Sequence, residues 1–169
     1  MNQPPFFDCN HLFYTYFRNS EKMKFNLFSF SLLKKTDILI VIVGTILNLT
    51  LPYVISHFTE GVNNENYLDK MTQKTNIILL LMTMSIFIPM IEEYIFRGIL
   101  IKLIFKNLKW LGSIVSIVLF TLMHSPTSFI EYLIFGSSSI IYVLAFNKTK
   151  RLEVPIIIHM LNNLVATIF

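Results

Sequence analysis

Apolar runs of about twenty residues recur along this 169-residue chain, and that is the length a helix needs to cross a hydrocarbon core of about 30 Å. The constraint is severe. In lipid every backbone N–H and C=O must be satisfied within the segment, so the sequence predicts an all-α fold, a multi-pass transmembrane helical bundle. Five spans are expected, at Asp37–His57, Asn76–Phe105, Trp110–His124, Thr127–Phe146 and Val154–Phe169. Composition agrees: 54% of side chains are hydrophobic, 14% charged, far from the balance of a soluble domain. The polar stretch 59–75, with Glu60, Asn63, Asn64, Glu65 and Asp69, must lie outside the bilayer core, and Ser125-Pro126 marks a turn between the third and fourth spans.

Residues 1–36 read as an N-terminal interfacial arm, in which aromatic residues mix with Arg18, Lys22, Lys24, Lys34 and Lys35. Residues 37–169 form the predicted transmembrane domain. No small-residue cleavage site follows the first apolar run, so a removable signal peptide is not expected. All Lys and Arg except Lys70, Lys74 and Arg97 fall on one side of the spans, which places the N-terminus in the cytoplasm and the C-terminus outside. The net charge of +4 is then a matter of topology, and no nucleic-acid partner is expected. The one cysteine, Cys9, excludes an intrachain disulfide and a thiolate metal cluster.

The second span carries the polar exceptions: Pro89, Glu92, Glu93, Arg97 and Lys102. Lys102 lies near an end and can snorkel. An acid or Arg at a helix centre costs roughly 2.5–3.5 kcal/mol, so Glu92, Glu93 and Arg97 must be paired, hydrated or functional. Glu93 and Arg97 are four apart with the acid first, the favourable order for an ion pair. Glu92 is turned about 100° away and faces another neighbour, where a partly desolvated carboxylate suits general-base work. Pro89 removes the helical bond to the Ser85 carbonyl, which predicts a bend or local opening one turn before the cluster.

Two histidines extend the set. His124 ends the third span, and His159 shares a face of the fifth with Asn163. At about 1.5 Å per residue, Glu92 lies about 15 Å from Lys102, His159 about 12 Å from Arg151 and His124 about 21 Å from Trp110, depths within or near the middle of the bilayer. His11 and His57 receive no role.

Glu92-Glu93-Tyr94-Ile95-Phe96-Arg97 fits the pattern E-E-x-x-x-R, Phe120-Thr121-Leu122-Met123-His124 fits F-x-x-x-H, and His159-Met160-Leu161-Asn162-Asn163 fits H-x-x-x-N. Three such motifs in order, on separate predicted spans, resemble the CPBP family, the CAAX-protease and bacteriocin-processing intramembrane proteases. The resemblance covers a core at about 76–169. It implies that Glu92 and His124 position and activate a water for attack on a peptide carbonyl, that His159 and Asn163 stabilise the oxyanion or hold a metal, and that Glu93 and Arg97 support the site.

The expected function is hydrolysis of a peptide bond in a membrane-associated peptide or protein, within a bacterial plasma membrane. The alternative is bacteriocin self-immunity, in which the protein binds or sequesters a toxic peptide; a purely structural bundle is the third reading. The family is commonly described as metalloproteases, and Glu92, His124 and His159 are the candidate Zn²⁺ ligands. With no H-E-x-x-H helix and no Cys ligand, spacing does not require a metal, and a metal-independent glutamate mechanism is the expectation. Oligomeric state is left open.

Overall fold

The computed structural model describes residues 29, 31–57 and 76–168. Most of the expected arm, with Cys9 and His11, and the polar stretch 59–75 lie outside the described residues. Every regular element within them is helical: α1 (Lys35–His57), α2 (Ile77–Ile104), α3 (Lys109–Met123), α4 (Phe129–Thr149) and α5 (Glu153–Ile168).

Local chemistry fixes the ends. The Asp37 carboxylate in the first turn of α1 accepts from the Lys34 N–H at 3.0 Å, the acidic half of a capping box. Asn76 caps α2 by accepting from the Ile78 N–H at 2.9 Å. Before α4, Ser128 accepts from the Glu131 N–H at 3.2 Å while Glu131 reaches back to the Thr127 N–H at 2.6 Å. Ser125, with φ 49°, takes the left-handed conformation that turns the chain ahead of Pro126, where the dipeptide predicted a turn.

α1, α2 and α4 are each long and apolar enough to cross a membrane. α3 and α5 have 15 and 16 residues, or about 22 and 24 Å, shorter than the expected core. All five helices carry exposed large apolar side chains, among them Leu39, Ile78, Val118, Leu144 and Ile168. A soluble protein would not present such a surface; lipid tails can cover it.

α2 is not a uniform α-helix. Residues Thr83–Phe87 and Tyr94–Ile104 are π-helical, and Ile88–Glu93 between them is α-helical with Pro89 in its first turn. The opening expected from Pro89 is therefore a change of helical register on both sides of the Glu92-Glu93 pair, a departure that recurs at functional sites.

α4 packs on α1, α3 and α5, and α5 packs on α1 and the first half of α2. Phe96, Phe120, Ile141, Tyr142, Ala145, Val154 and Ile158 form the central core. Close approach is made by missing side chains: a Cβ on Gly112 would lie 2.5 Å from the Phe105 Cβ, and one on Gly44 2.6 Å from the Ile158 Cδ1.

Between α4 and α5, Arg151 is buried and donates to the carbonyls of Ser29, Ser31 and Leu32. Its guanidinium lies 3.6 Å from Asp37 and 3.7 Å from Glu153. Arg151 thus ties the residues before α1 to the far end of the chain, a role that counting it as a flanking charge did not foresee. Replacing one partner of a buried charge pair costs about 3 kcal/mol or more. Arg151→Ala is expected to lower the melting temperature in detergent by at least several degrees, whereas Lys148→Ala, on the same flank, leaves it unchanged; equal melting curves would contradict the clamp.

Candidate active site

The site is built around two fully buried charges. Arg97 Nη1 donates to Glu93 Oε1 at 3.0 Å, both side chains having no solvent exposure. The pair expected from the four-residue spacing thus forms. Arg97 Nη2 turns to α4 and donates to the Ser139 carbonyl at 3.1 Å and Oγ at 2.9 Å. The guanidinium carbon also lies 4.7 Å from the centre of the Phe120 ring and 5.4 Å from that of Tyr142, within cation–π range. A charge with donors spent on α2 and α4 and faces covered by α3 and α4 fixes the mutual placement of three helices.

His159 reaches this pair from α5. Its Nδ1 lies 3.1 Å from Glu93 Oε1, and its Nε2 lies 3.7 Å from Glu92 Oε2. An ionised carboxylate only accepts, so Nδ1 carries the proton and donates to Glu93. Nε2 is left on the side of Glu92. One imidazole thus stands between two consecutive carboxylates: Glu92, expected to face a different neighbour from Glu93, meets the same histidine at its other nitrogen. Glu92 keeps some exposure while Glu93 has none.

His124 is set differently. Its Nδ1 donates to the Phe120 carbonyl at 2.8 Å, which leaves Nε2 as the acceptor, and its ring stacks on Phe135 at 4.5 Å. The Phe120 ring separates the two histidines, 4.6 Å from His124 and 5.7 Å from His159. His124 does not touch Glu92, although it lies within its electrostatic reach.

Asn163 Nδ2 donates to the Met84 carbonyl at 3.0 Å. In π register the donor facing that carbonyl would come from residue 89, and Pro89 has none. Asn163 supplies the missing hydrogen and ties α5 to the opened turn of α2; the carbonyl it takes is Met84's, not that of Ser85, because the local register is π.

His124, His159 and Asn163 line one cavity of about 580 Å³, with Asn48, Phe135 and Tyr142 among its other walls. Glu92 is not part of that lining, but its Oε2 lies 3.7 Å from Nε2 of His159, which is. Among the described residues no three His, Cys, Asp or Glu side chains come together as a metal-holding group. Nδ1 of His159 is held by Glu93 and Nδ1 of His124 by a carbonyl, so each ring has only Nε2 to offer to a ligand or a water.

Three participants were missed in the sequence. Ser139 sits in an apolar helix and gave no signal beyond its place in the Ser137–Ser139 run. Tyr142 was given no role, yet its ring stacks on His159 at 4.6 Å and 21°. Asn48, a lone amide in the first span, was legible as a polar exception and was passed over.

A helical bundle with apolar outer faces and an ionic cluster in its core is an integral membrane protein with an intramembrane polar site. The family model for type II CAAX prenyl endopeptidase Rce1-like proteins matches residues 74–165, and the chain belongs to that family. Among curated relatives, the membrane-embedded CAAX protease MroQ of Staphylococcus aureus is 38% identical over 50% of this chain and 36% of its own length. The UPF0177 protein YbdI of Lactococcus lactis is 35% identical over 76% of this chain and 72% of its own, and YvdC of the same organism 25% over 73% and 49%. The chain spans about a third of the first of these relatives and about half of the last. No solved structure matches it.

The ionic core yields a prediction. Removing the cation alone leaves an uncompensated buried carboxylate, which costs about 3–5 kcal/mol, whereas replacing both charges by apolar groups is often close to neutral. Arg97→Leu is expected to unfold at markedly lower temperature than wild type, and Glu93→Leu with Arg97→Leu to regain most of the loss. A double variant less stable than the single one, in detergent melting curves, would show that the pair is not the dominant interaction of the two residues.

Proposed function

We propose that the chain is an intramembrane endopeptidase in which Glu92 is the general base. The carrying observation is the placement of Glu92 Oε2 3.7 Å from His159 Nε2, while Glu93 holds the other edge of the same ring. Of the two carboxylates, Glu93 is fully buried with its Oε1 bound by both Arg97 and His159, whereas Glu92 keeps some exposure and has no ion pair with an arginine or lysine among the described residues. Glu92 is thus the one available to take a proton.

In this reading Glu92 removes a proton from a water as its oxygen attacks the scissile carbonyl carbon. The tetrahedral intermediate collapses with cleavage of the C–N bond, and the proton held by Glu92 passes to the leaving nitrogen. Nδ1 of His159 is held by Glu93 and its Nε2 is turned to the side of Glu92; once that nitrogen carries a hydrogen it can donate to the developing oxyanion. His124, at the cavity wall, orients the water through its free Nε2, and Asn163 keeps the opened turn of α2 in register, with a second amide hydrogen for the oxyanion. No step calls for a metal.

The proposed substrates are membrane-associated peptides or proteins of a bacterial plasma membrane, with the N-terminus of the enzyme in the cytoplasm and its C-terminus outside. Family membership and the name of the staphylococcal relative support this class.

A quenched library of membrane peptides, incubated with purified protein in detergent, tests the mechanism. Wild type is expected to cleave, Glu92→Gln to lose at least about 100-fold in kcat, and a chelator to leave wild-type turnover unchanged. Equal turnover by a folded Glu92→Gln protein would remove Glu92 as the base, and loss of activity with the chelator would remove the metal-free mechanism.

A further inference from the structure

α1 lies outside the residues matched by the family model, yet it contributes a wall of the active-site cavity through Asn48. Asn48 is fully buried, and its Nδ2 donates to the Tyr142 hydroxyl at 2.6 Å. It is the fourteenth residue of a 23-residue helix, about 20 Å from its start, where an amide is costly and an apolar residue would pack without penalty. Interhelical hydrogen bonds of this kind hold bundles together only weakly. Stability alone is therefore a poor reason for an amide at this depth.

The partner gives a better one. Tyr142 is the residue whose ring covers a face of His159, 4.6 Å away and within 21° of parallel. The edge of that imidazole is held by Glu93, but a single hydrogen bond leaves the ring free to rock about it. Stacking on Tyr142 removes that freedom, and the Asn48 bond in turn fixes the tilt of the phenol.

α1 is also shaped to make the contact. One turn before Asn48, Gly44 faces Ile158, the residue preceding His159, and a Cβ there would come within 2.6 Å of the Ile158 Cδ1. The bare backbone brings α1 against α5 where the amide has to reach the site.

We infer that Asn48 is a positioning residue of the active site, acting through the Tyr142 hydroxyl to hold His159 in the orientation that keeps Nε2 beside Glu92. The inference rests on the endopeptidase reading for its kinetic consequence, but not for its structural one.

The test is a double-mutant cycle on the full chain in detergent, with Asn48→Leu, which keeps volume, and Tyr142→Phe, which keeps the ring. Each single variant is expected to lower kcat about tenfold with KM within twofold, and the double variant to be no slower than the slower single one, because both remove the same link. Independent, multiplying losses, or an unchanged kcat in Asn48→Leu, would overturn the inference.

A second readout does not need cleavage. The chain has only four histidines, so histidine-selective labelling gives few ring signals, and His159→Gln assigns the relevant one. Asn48→Leu and Tyr142→Phe are both expected to shift the His159 signal while leaving that of His124 in place. An unmoved His159 signal overturns the inference even if the library is cleaved. A wild-type protein that cleaves nothing counts against the endopeptidase reading, while the His159 signal still decides the role of Asn48.

Discussion

A carboxylate and a guanidinium without any contact to solvent, 3.0 Å apart on one helix, are the interaction on which this bundle depends. Neither could be buried alone at the expected depth, since an isolated ion in a low-dielectric interior carries a penalty of several kcal/mol even after relaxation. Their attraction offsets part of that cost, and further contacts of the two groups recruit the neighbours. Arg97 takes Ser139 from α4, and Glu93 takes His159 from α5. Phe120 and Tyr142 close the faces of the guanidinium. Apolar helices in lipid gain little from burying apolar surface against one another, so directional polar contacts of this kind give the bundle a specific arrangement.

The same pair divides the labour between two adjacent carboxylates. Glu93 is spent on structure, which leaves Glu92 beside the other nitrogen of a histidine that Glu93 has already oriented. The register change of α2 contributes as well. π-helical turns on both sides of Ile88–Glu93 free a backbone carbonyl at Met84, and Asn163 binds it. An element that would be a defect in a uniform helix thus becomes the link that joins the third motif to the helix carrying the first.

Much of this was legible in the residues. Apolar runs gave five helices with ends within a few residues of those observed, because span length is set by the bilayer and by little else. The Glu93–Arg97 contact followed from a four-residue spacing, a property of one helix. What crosses between helices was harder to read. Ser139 and Tyr142 meet Arg97 and His159 only through packing angles that no local pattern encodes, and the approach of α1 at Gly44 depends on a side chain of α5. The π segments were also hidden: Pro89 announced a disturbance, but the choice of register depends on which partner takes the freed carbonyl. Arg151 read as a flanking charge because the carbonyls it binds belong to residues more than a hundred positions away.

The central claim is that His159 is oriented by Glu93, with its Nδ1 proton directed at that carboxylate and its Nε2 held toward Glu92. Nitrogen-15 spectroscopy of histidine-labelled protein in detergent reads this directly, through the one-bond N–H correlation of each ring nitrogen. Nδ1 of wild-type His159 is predicted to carry the proton, and its correlation to be lost or displaced in Glu93→Gln. A wild-type His159 protonated at Nε2 with a bare Nδ1 would contradict it.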